Sequence, residues 1–227
     1  MAVVLTRKKT KPKAFLFHTA EELIDSLGGI PTNRVRINPS PGRATEADVV
    51  KFLESADKRR FELVQGTLVE KPMGSREAFI SSLLLRKMGE IVDRNQLGVL
   101  LGGDGPLRML SGNVRIPDVS FIPNSSFPSG ELPEDVIWDV TPTLIVEVLS
   151  ESNTRSEITK KLLELFDRGC QLAWIIDRKS QTAEEYTSPT ERRVIGSNGW
   201  LNGGLVLPGF RIRLGELFLK SLKKKRP

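Results

Sequence analysis

Two residue types that carry much of hydrolytic and metal chemistry are almost missing from this chain. Its 227 residues include one cysteine, Cys170, and one histidine, His18. A single thiol excludes an internal disulfide and a thiolate metal cage, and it fits a reducing compartment. A single imidazole excludes multi-histidine zinc sites and gives a Ser/His/Asp triad little support. No apolar run nears the roughly 20 residues that span a bilayer, so no membrane association is expected. The opening MAVVLTRKKTKPK turns basic early and lacks the pattern of a secretory signal, so the expected location is cytoplasmic.

What is abundant is charge, and it is unevenly placed. The chain has 34 Lys+Arg and 28 Asp+Glu, a formal net charge of +6. Arg7, Lys8, Lys9, Lys11 and Lys13 form one acid-free end; Lys220, Lys223, Lys224, Lys225 and Arg226 form the other. Setting those ten aside leaves 24 basic against 28 acidic residues, so the body between the ends is acidic. Such tails either hold nucleic acid loosely through phosphate contacts or are solvated ends that aid solubility.

The pattern predicts four segments: a basic tail at 1–13, a helical N-terminal extension at 14–58, a main domain at 59–219 and a basic C-terminal tail at 220–227. In the extension, Thr19 and Glu22 have capping-box spacing, a Pro/Asn/Gly linker follows, and a second helix starts near Thr45. The main domain opens with FELV-QG-TLVE, a β-hairpin. Residues 75–95 are predicted helical, with Phe79, Leu83, Met88 and Ile91 as the stripe. Strands are expected at 105–110, 113–122, LIVEVL, AWIID and AEEYT, with a long loop over 123–142 and a helix over 154–168. The order gives an α/β fold, a mixed sheet flanked by helices.

Four charged residues lie where apolar ones are expected. Glu147 interrupts a strand that is apolar on both faces, where an ionised carboxylate is costly unless cations or donors compensate it. Asp118 follows Pro117, which cannot donate to a ladder, so the chain bends there and aims the side chain. Glu62 alternates with Phe61 and Leu63 in the first hairpin strand. On the helix after Glu147, Ile158, Leu162, Leu165 and Phe166 mark the core stripe, with Lys161 on its flank and Lys160 nearly opposite. Each has an ordinary reading: a carboxylate with an arginine partner, a Pro-Asp turn, a solvated strand residue, a snorkelling lysine. Together they resemble an oxygen-ligand site for Mg²⁺ or Mn²⁺. Such an ion polarises a phosphoryl oxygen and activates water, and a lysine stabilises developing negative charge.

ELVQGTLVEKPMG, RIPDVSF, LIVEVLSESNTRSEITKKLLELFDRG, LAWIIDR and LPGF, in this order, resemble the Uma-two family of restriction endonuclease-like proteins, within the PD-(D/E)XK nuclease superfamily. The resemblance covers roughly residues 60–215. It implies a restriction-endonuclease-like core and a DNA endonuclease that uses Mg²⁺ or Mn²⁺. By matching position, Asp118 and Glu147 would ligate metal, Glu62 would be a third acidic group at the metal, and Lys161 would replace the superfamily lysine, whose usual place holds Leu149. DNA would be the partner, with duplex cleavage favouring a homodimer. Two departures stand out: Ser75-Arg76-Glu77 where many relatives have a histidine, and Asp177-Arg178 in place of Asp-Pro. The alternatives are a catalytically silent nuclease fold acting as a nucleic-acid-binding or scaffold module, and a hydrolase using Asp118 and Glu147 as acid and base on a sugar. His18 reads as a helix-entry residue, Cys170 as a buried thiol, Trp138, Trp174 and Trp200 as packing residues, and Gly102–Gly105 as a turn.

Overall fold

The computed structural model describes residues 15–56, 59–72 and 74–218. Both basic tails lie outside these residues.

The extension forms two short helices. In α1 (Ala20–Ser26), Thr19 accepts from the Glu22 N–H at 3.0 Å, and Glu22 accepts in return from the N–H of His18. In α2 (Glu46–Glu54), Thr45 and Asp48 make a full capping box. The hairpin follows as predicted, β1 (Phe61–Val64) against β2 (Thr67–Glu70). Both central residues of its turn, Gln65 and Gly66, have positive φ, the combination a type I′ turn requires. Glycine is needed at 66 for space as well: a Cβ there would lie 2.6 Å from the Gly42 carbonyl oxygen.

A long helix, α3 (Ser75–Asn95), leads to β3 (Gly98–Gly102), β4 (Leu107–Arg108), β5 (Val114–Arg115) and β6 (Val119–Pro123). After the long loop come β7 (Leu144–Val148), α4 (Arg155–Arg168), β8 (Leu172–Asp177), β9 (Thr182–Tyr186), β10 (Arg192–Ile195), β11 (Trp200–Asn202) and β12 (Arg211–Arg213). Two sheets result. The smaller has the order β2-β1-β5-β4 and the larger β10-β9-β8-β7-β6-β3; β11 and β12 form a separate ribbon. The sole parallel pair among the described strands is β7 with β8, joined through α4. The fold is therefore mixed and flanked by helices, as expected.

Three details differ from expectation. The strand predicted over 113–122 is broken: β5 belongs to one sheet and β6 to the other, and Pro117 and Asp118 form the crossing. β3 carries no strong alternation and was not expected, nor were the short strands β10, β11 and β12. The buried face of α3 is Ile80, Leu84, Met88 and Val92. Of the predicted stripe Met88 is buried, while its other members lie one residue off that face: Phe79 is exposed, and Leu83 and Ile91 pack at the margin of the core.

The larger sheet is covered on both faces. Ile80, Leu84 and Met88 of α3, with Phe210 and Ile212, pack against Val146 and Trp174 on one side. Ile158, Leu162 and Leu165 of α4 pack against Ile145 and Ile175 on the other. Glu147 shares the strand face of Ile145, so it points toward α4. The extension is tied to the start of α4. Arg34 makes a buried bidentate pair with Glu157, at 2.6 and 3.0 Å, and Thr154 donates to the Gly28 carbonyl at 2.5 Å. No helix among the described residues is long and apolar enough to cross a membrane.

Candidate active site

The crossing between the two sheets builds the site. Pro117 has no N–H, so the ladder of β5 cannot continue through it. The next residue, Asp118, bonds to β7 twice: its N–H donates to the Val146 carbonyl at 3.0 Å, and its Oδ2 accepts from the Val148 N–H at 2.6 Å. Those bonds flank Glu147 and fix the two carboxylates on neighbouring strands.

From the opposite side, α4 carries Lys161 down onto this face. Its Nζ lies 2.5 Å from Glu147 Oε1 and 2.7 Å from Glu62 Oε1. Lys160 points away and donates to the carbonyls of Asp25 and Ser26. Glu62 arrives from β1 on the smaller sheet. Its Oε1 also accepts from the Ile116 N–H at 2.9 Å, and its Oε2 accepts from Arg115 Nη1 at 3.0 Å. Arg115 grips Glu164 of α4 through Nε and Nη2, at 2.8 and 3.0 Å. Glu62, Asp118, Glu147 and Lys161 are 5%, 4%, 7% and 5% exposed, so bulk water does not compensate them. The four residues singled out in the sequence thus meet in one buried cluster.

Three members were missed: Arg115, Glu164 and Lys71. Lys71 is the most informative. Its Nζ lies 2.6 Å from Asp118 Oδ1 and also donates to the Ile116 carbonyl. Its own N–H bonds to the Arg60 carbonyl, extending the hairpin ladder by one residue. Continuing the β2 alternation past Glu70 puts Lys71 on the face of Val69, opposite Glu62, and that was the available signal.

The electrostatics follow from burial against pairing. Burial is the largest single influence on Glu62, but Lys161, Arg115 and Lys71 together outweigh it and hold the carboxyl well below its ordinary range. For Glu147 burial wins: despite Lys161 and Lys71 the carboxyl is pushed up to about 7, with Asp118 and Glu62 adding to the rise. Burial also works against the Lys161 ammonium, but Glu147 and Glu62 hold it charged, above the ordinary lysine range. These directions agree, because Lys161 keeps its charge through Glu62 when Glu147 takes a proton.

The donor set suits a hard divalent ion in part. Asp118 and Glu147 supply carboxylate oxygens, with neither His18 nor Cys170 among their neighbours, which favours Mg²⁺ or Mn²⁺. Glu147 Oε1 is buried and faces the Lys161 ammonium alone. Glu62 differs from Glu147, since donors take both of its oxygens, as Lys71 and the Val148 N–H take both oxygens of Asp118. Among the described residues no three Asp, Glu, His or Cys side chains form a metal-holding group. The geometry therefore assembles a carboxylate pair, the number Mg²⁺ commonly takes from a protein because it retains several waters.

A cleft of about 750 Å³ opens beside the cluster, lined by Arg59, Arg60, Lys71, Ser81, Ser82 and Asp104 among others. The turn at Gly102–Gly105 forms part of its rim. The residues set aside in the sequence stay apart: His18 is exposed at the entry to α1, and Cys170 is buried, its thiol pushed up to about 12 mainly by burial. Trp174 is fully buried, Trp138 packs edge-on to Phe127, and Trp200 lies under the Arg211 guanidinium. The two departures from the family pattern meet each other: Arg178 Nε donates to Glu77 Oε1 at 3.1 Å.

Comparison with known proteins agrees with this architecture. The Uma2 family profile, described as "Putative restriction endonuclease", matches residues 32–215. The match starts well before residue 60, so Arg34 and α2 fall inside it. No curated protein matches the chain. Among solved structures, the crystal structure of a putative nuclease belonging to DUF820 from Anabaena variabilis ATCC 29413 is similar. It has a TM-score of 0.63 and 21% sequence identity, over 70% of this chain and 89% of that one. At that identity the likeness speaks for the fold.

Proposed function

The chain belongs to the Uma2 family, and from that membership and the buried cluster we propose that it is a divalent-metal-dependent endonuclease that hydrolyses DNA phosphodiester bonds. The observation that carries this reading is the double bond of Asp118 to β7 around Glu147, which sets two carboxylates from distant sequence side by side under a buried lysine.

Asp118 and Glu147 would hold the ion, Mg²⁺ or Mn²⁺. Bound there, it would supply Lewis-acid polarisation of a phosphoryl oxygen and a lowered pKa for water. The protein's own groups do the rest. Lys161 keeps its charge through Glu62 and Glu147 and presents it where negative charge grows on the phosphoryl oxygens. Glu62 positions that ammonium, and Arg115 and the Ile116 N–H hold Glu62 in turn. The packed faces of β7 and α4 exclude water, which strengthens each of these interactions. We assign the catalytic unit to 59–219, with the cytoplasm as its compartment. Cutting both strands of a duplex calls for a second site, supplied by a homodimer.

Nicking of supercoiled plasmid with Mg²⁺ or Mn²⁺, abolished by chelation, is the expected activity. Asp118→Asn and Glu147→Gln should lose both Mn²⁺ binding by calorimetry and cleavage. Lys161→Met should retain Mn²⁺ binding and lose cleavage. Wild-type protein that binds no Mn²⁺ would end the metal-nuclease reading. One observation favours a second reading, a silent DNA-binding module: every carboxylate of the cluster already faces a lysine or arginine. That reading expects DNA binding indifferent to divalent metal and to Asp118→Asn.

A further inference from the structure

Among the described residues, Lys71 alone belongs both to the carboxylate cluster and to the cleft wall. Its ammonium has three donors. One lies against Asp118 Oδ1 and another bonds the Ile116 carbonyl. The other oxygen of Asp118 is committed to the Val148 N–H. Lys71 therefore covers the side of Asp118 that a cation would use.

Charge balance adds a second argument. Glu62, Asp118, Glu147 and Glu164 face only Lys71, Lys161 and Arg115, so the fully ionised cluster carries one surplus negative charge. Lys161 and Arg115 are each bound between two carboxylates. Lys71 pairs with one, and of the three cations it is the one that lines the cleft beside Arg59 and Arg60. A divalent ion taking its place would bring the cluster to balance.

Resting on the metal-nuclease reading, we propose that Lys71 is a built-in counter-ion. Its ammonium holds the cation position on Asp118, yields it to a divalent ion, and turns into the cleft beside Arg59 and Arg60 to hold a phosphate of the substrate strand. Lys71 is then a substrate-binding residue whose availability depends on metal, so an unloaded site offers the DNA one cation fewer.

The test uses the full chain and three readouts. In calorimetry with Mn²⁺ alone, Lys71→Met should bind at least about fivefold more tightly than wild type, since a competing cation has been removed. In wild-type protein treated with an amine-acetylating reagent and mapped by mass spectrometry, Lys71 should react slowly without Mn²⁺ and faster with it, while Lys161 stays protected in both. With Ca²⁺ and a short duplex, Lys71→Met should bind more weakly, with the salt slope reduced by about one. Tighter Mn²⁺ binding together with Lys71 unmasking supports the counter-ion. If wild type binds Mn²⁺ and Lys71→Met binds no better, or if Lys71 labels equally with and without metal, the inference falls and the nuclease reading stands. If neither protein binds Mn²⁺, both fall. Unchanged DNA affinity and slope would overturn the phosphate contact. The labelling arm needs no variant, so a misfolded Lys71→Met would not rescue the idea.

Discussion

Replacing Lys161 by methionine removes a charge and keeps most of the side-chain volume. In the folded protein that charge touches two buried carboxylates, at 2.5 and 2.7 Å. Removing one partner of a buried pair costs about 3–5 kcal/mol, because the charge left behind is uncompensated. The cost falls unequally here. Glu62 keeps Arg115 and the Ile116 N–H, whereas Glu147 loses its nearest cation. Its carboxyl, already pushed up to about 7, rises further and escapes the penalty by taking a proton. A carboxyl with a raised folded pKa favours folding below its unfolded value and loses that contribution as pH climbs through the folded value. Lys161→Met should therefore cost about 3–5 kcal/mol near pH 8.5 and only about 1–3 near pH 5.5, where an unpaired neutral group remains. Lys160→Met should cost about 1 kcal/mol at both, since its bonds to Asp25 and Ser26 lie near the surface. Urea unfolding at the two pH values measures all four numbers. Adding Glu147→Gln to Lys161→Met should recover most of the stability at pH 8.5 and none of the cleavage. Equal losses for Lys160→Met and Lys161→Met, or a pH-independent loss for the latter, would refute the reasoning.

Other consequences are quicker to check. Arg34→Met breaks the buried pair with Glu157 and should lower Tm by about 6–12 °C, from a cost of about 3 kcal/mol, in a scanning melt. Gly28→Ala should destabilise comparably or prevent folding, because a Cβ there would lie 2.6 Å from the Glu157 nitrogen in a left-handed backbone; an unchanged melt would contradict the close packing of α1 on α4. Cys170 should resist Ellman's reagent at pH 8 and react fully in urea, since burial holds its thiol protonated to about pH 12. Reaction at the rate of a free thiol in native protein would place Cys170 at the surface.

Elements whose apolar pattern was strong were readable from sequence. α4 shows a 3.6-residue stripe, a capping Thr154 and a terminal glycine, and the structure starts and stops it within a residue of those signals. Because the helix could be read, so could the face of Lys161. The stripe of α3 was harder, since apolar residues surround much of that helix and adjacent stripes score alike; only the sheet decides which is buried. β3 is glycine-flanked and half-exposed, so it exists through pairing with β6 and not through its own pattern. Arg115 and Glu164 were invisible for a different reason. Each looks like a solvated charge locally, and its partner lies on another element far along the chain.

That difference bears on what the cluster is for. A buried network of seven charged groups is a poor way to stabilise a fold, because desolvation consumes most of the Coulombic gain and apolar replacements of similar volume often do as well or better. A network built for packing would hide lysine and arginine from solvent equally. Here the arrangement is graded. Arg115 and Lys161 are each bound between two carboxylates, Lys71 borders the cleft beside Arg59 and Arg60 with a single carboxylate partner, and Glu147 Oε1 faces Lys161 alone. On the proposed reading, doubly paired cations at the back and one displaceable cation at the mouth form a gradient from scaffold to substrate. Such a gradient has no structural advantage over a uniform apolar core, and it matches what a hydrolytic site needs: fixed charge where the transition state forms and exchangeable charge where metal and phosphate enter.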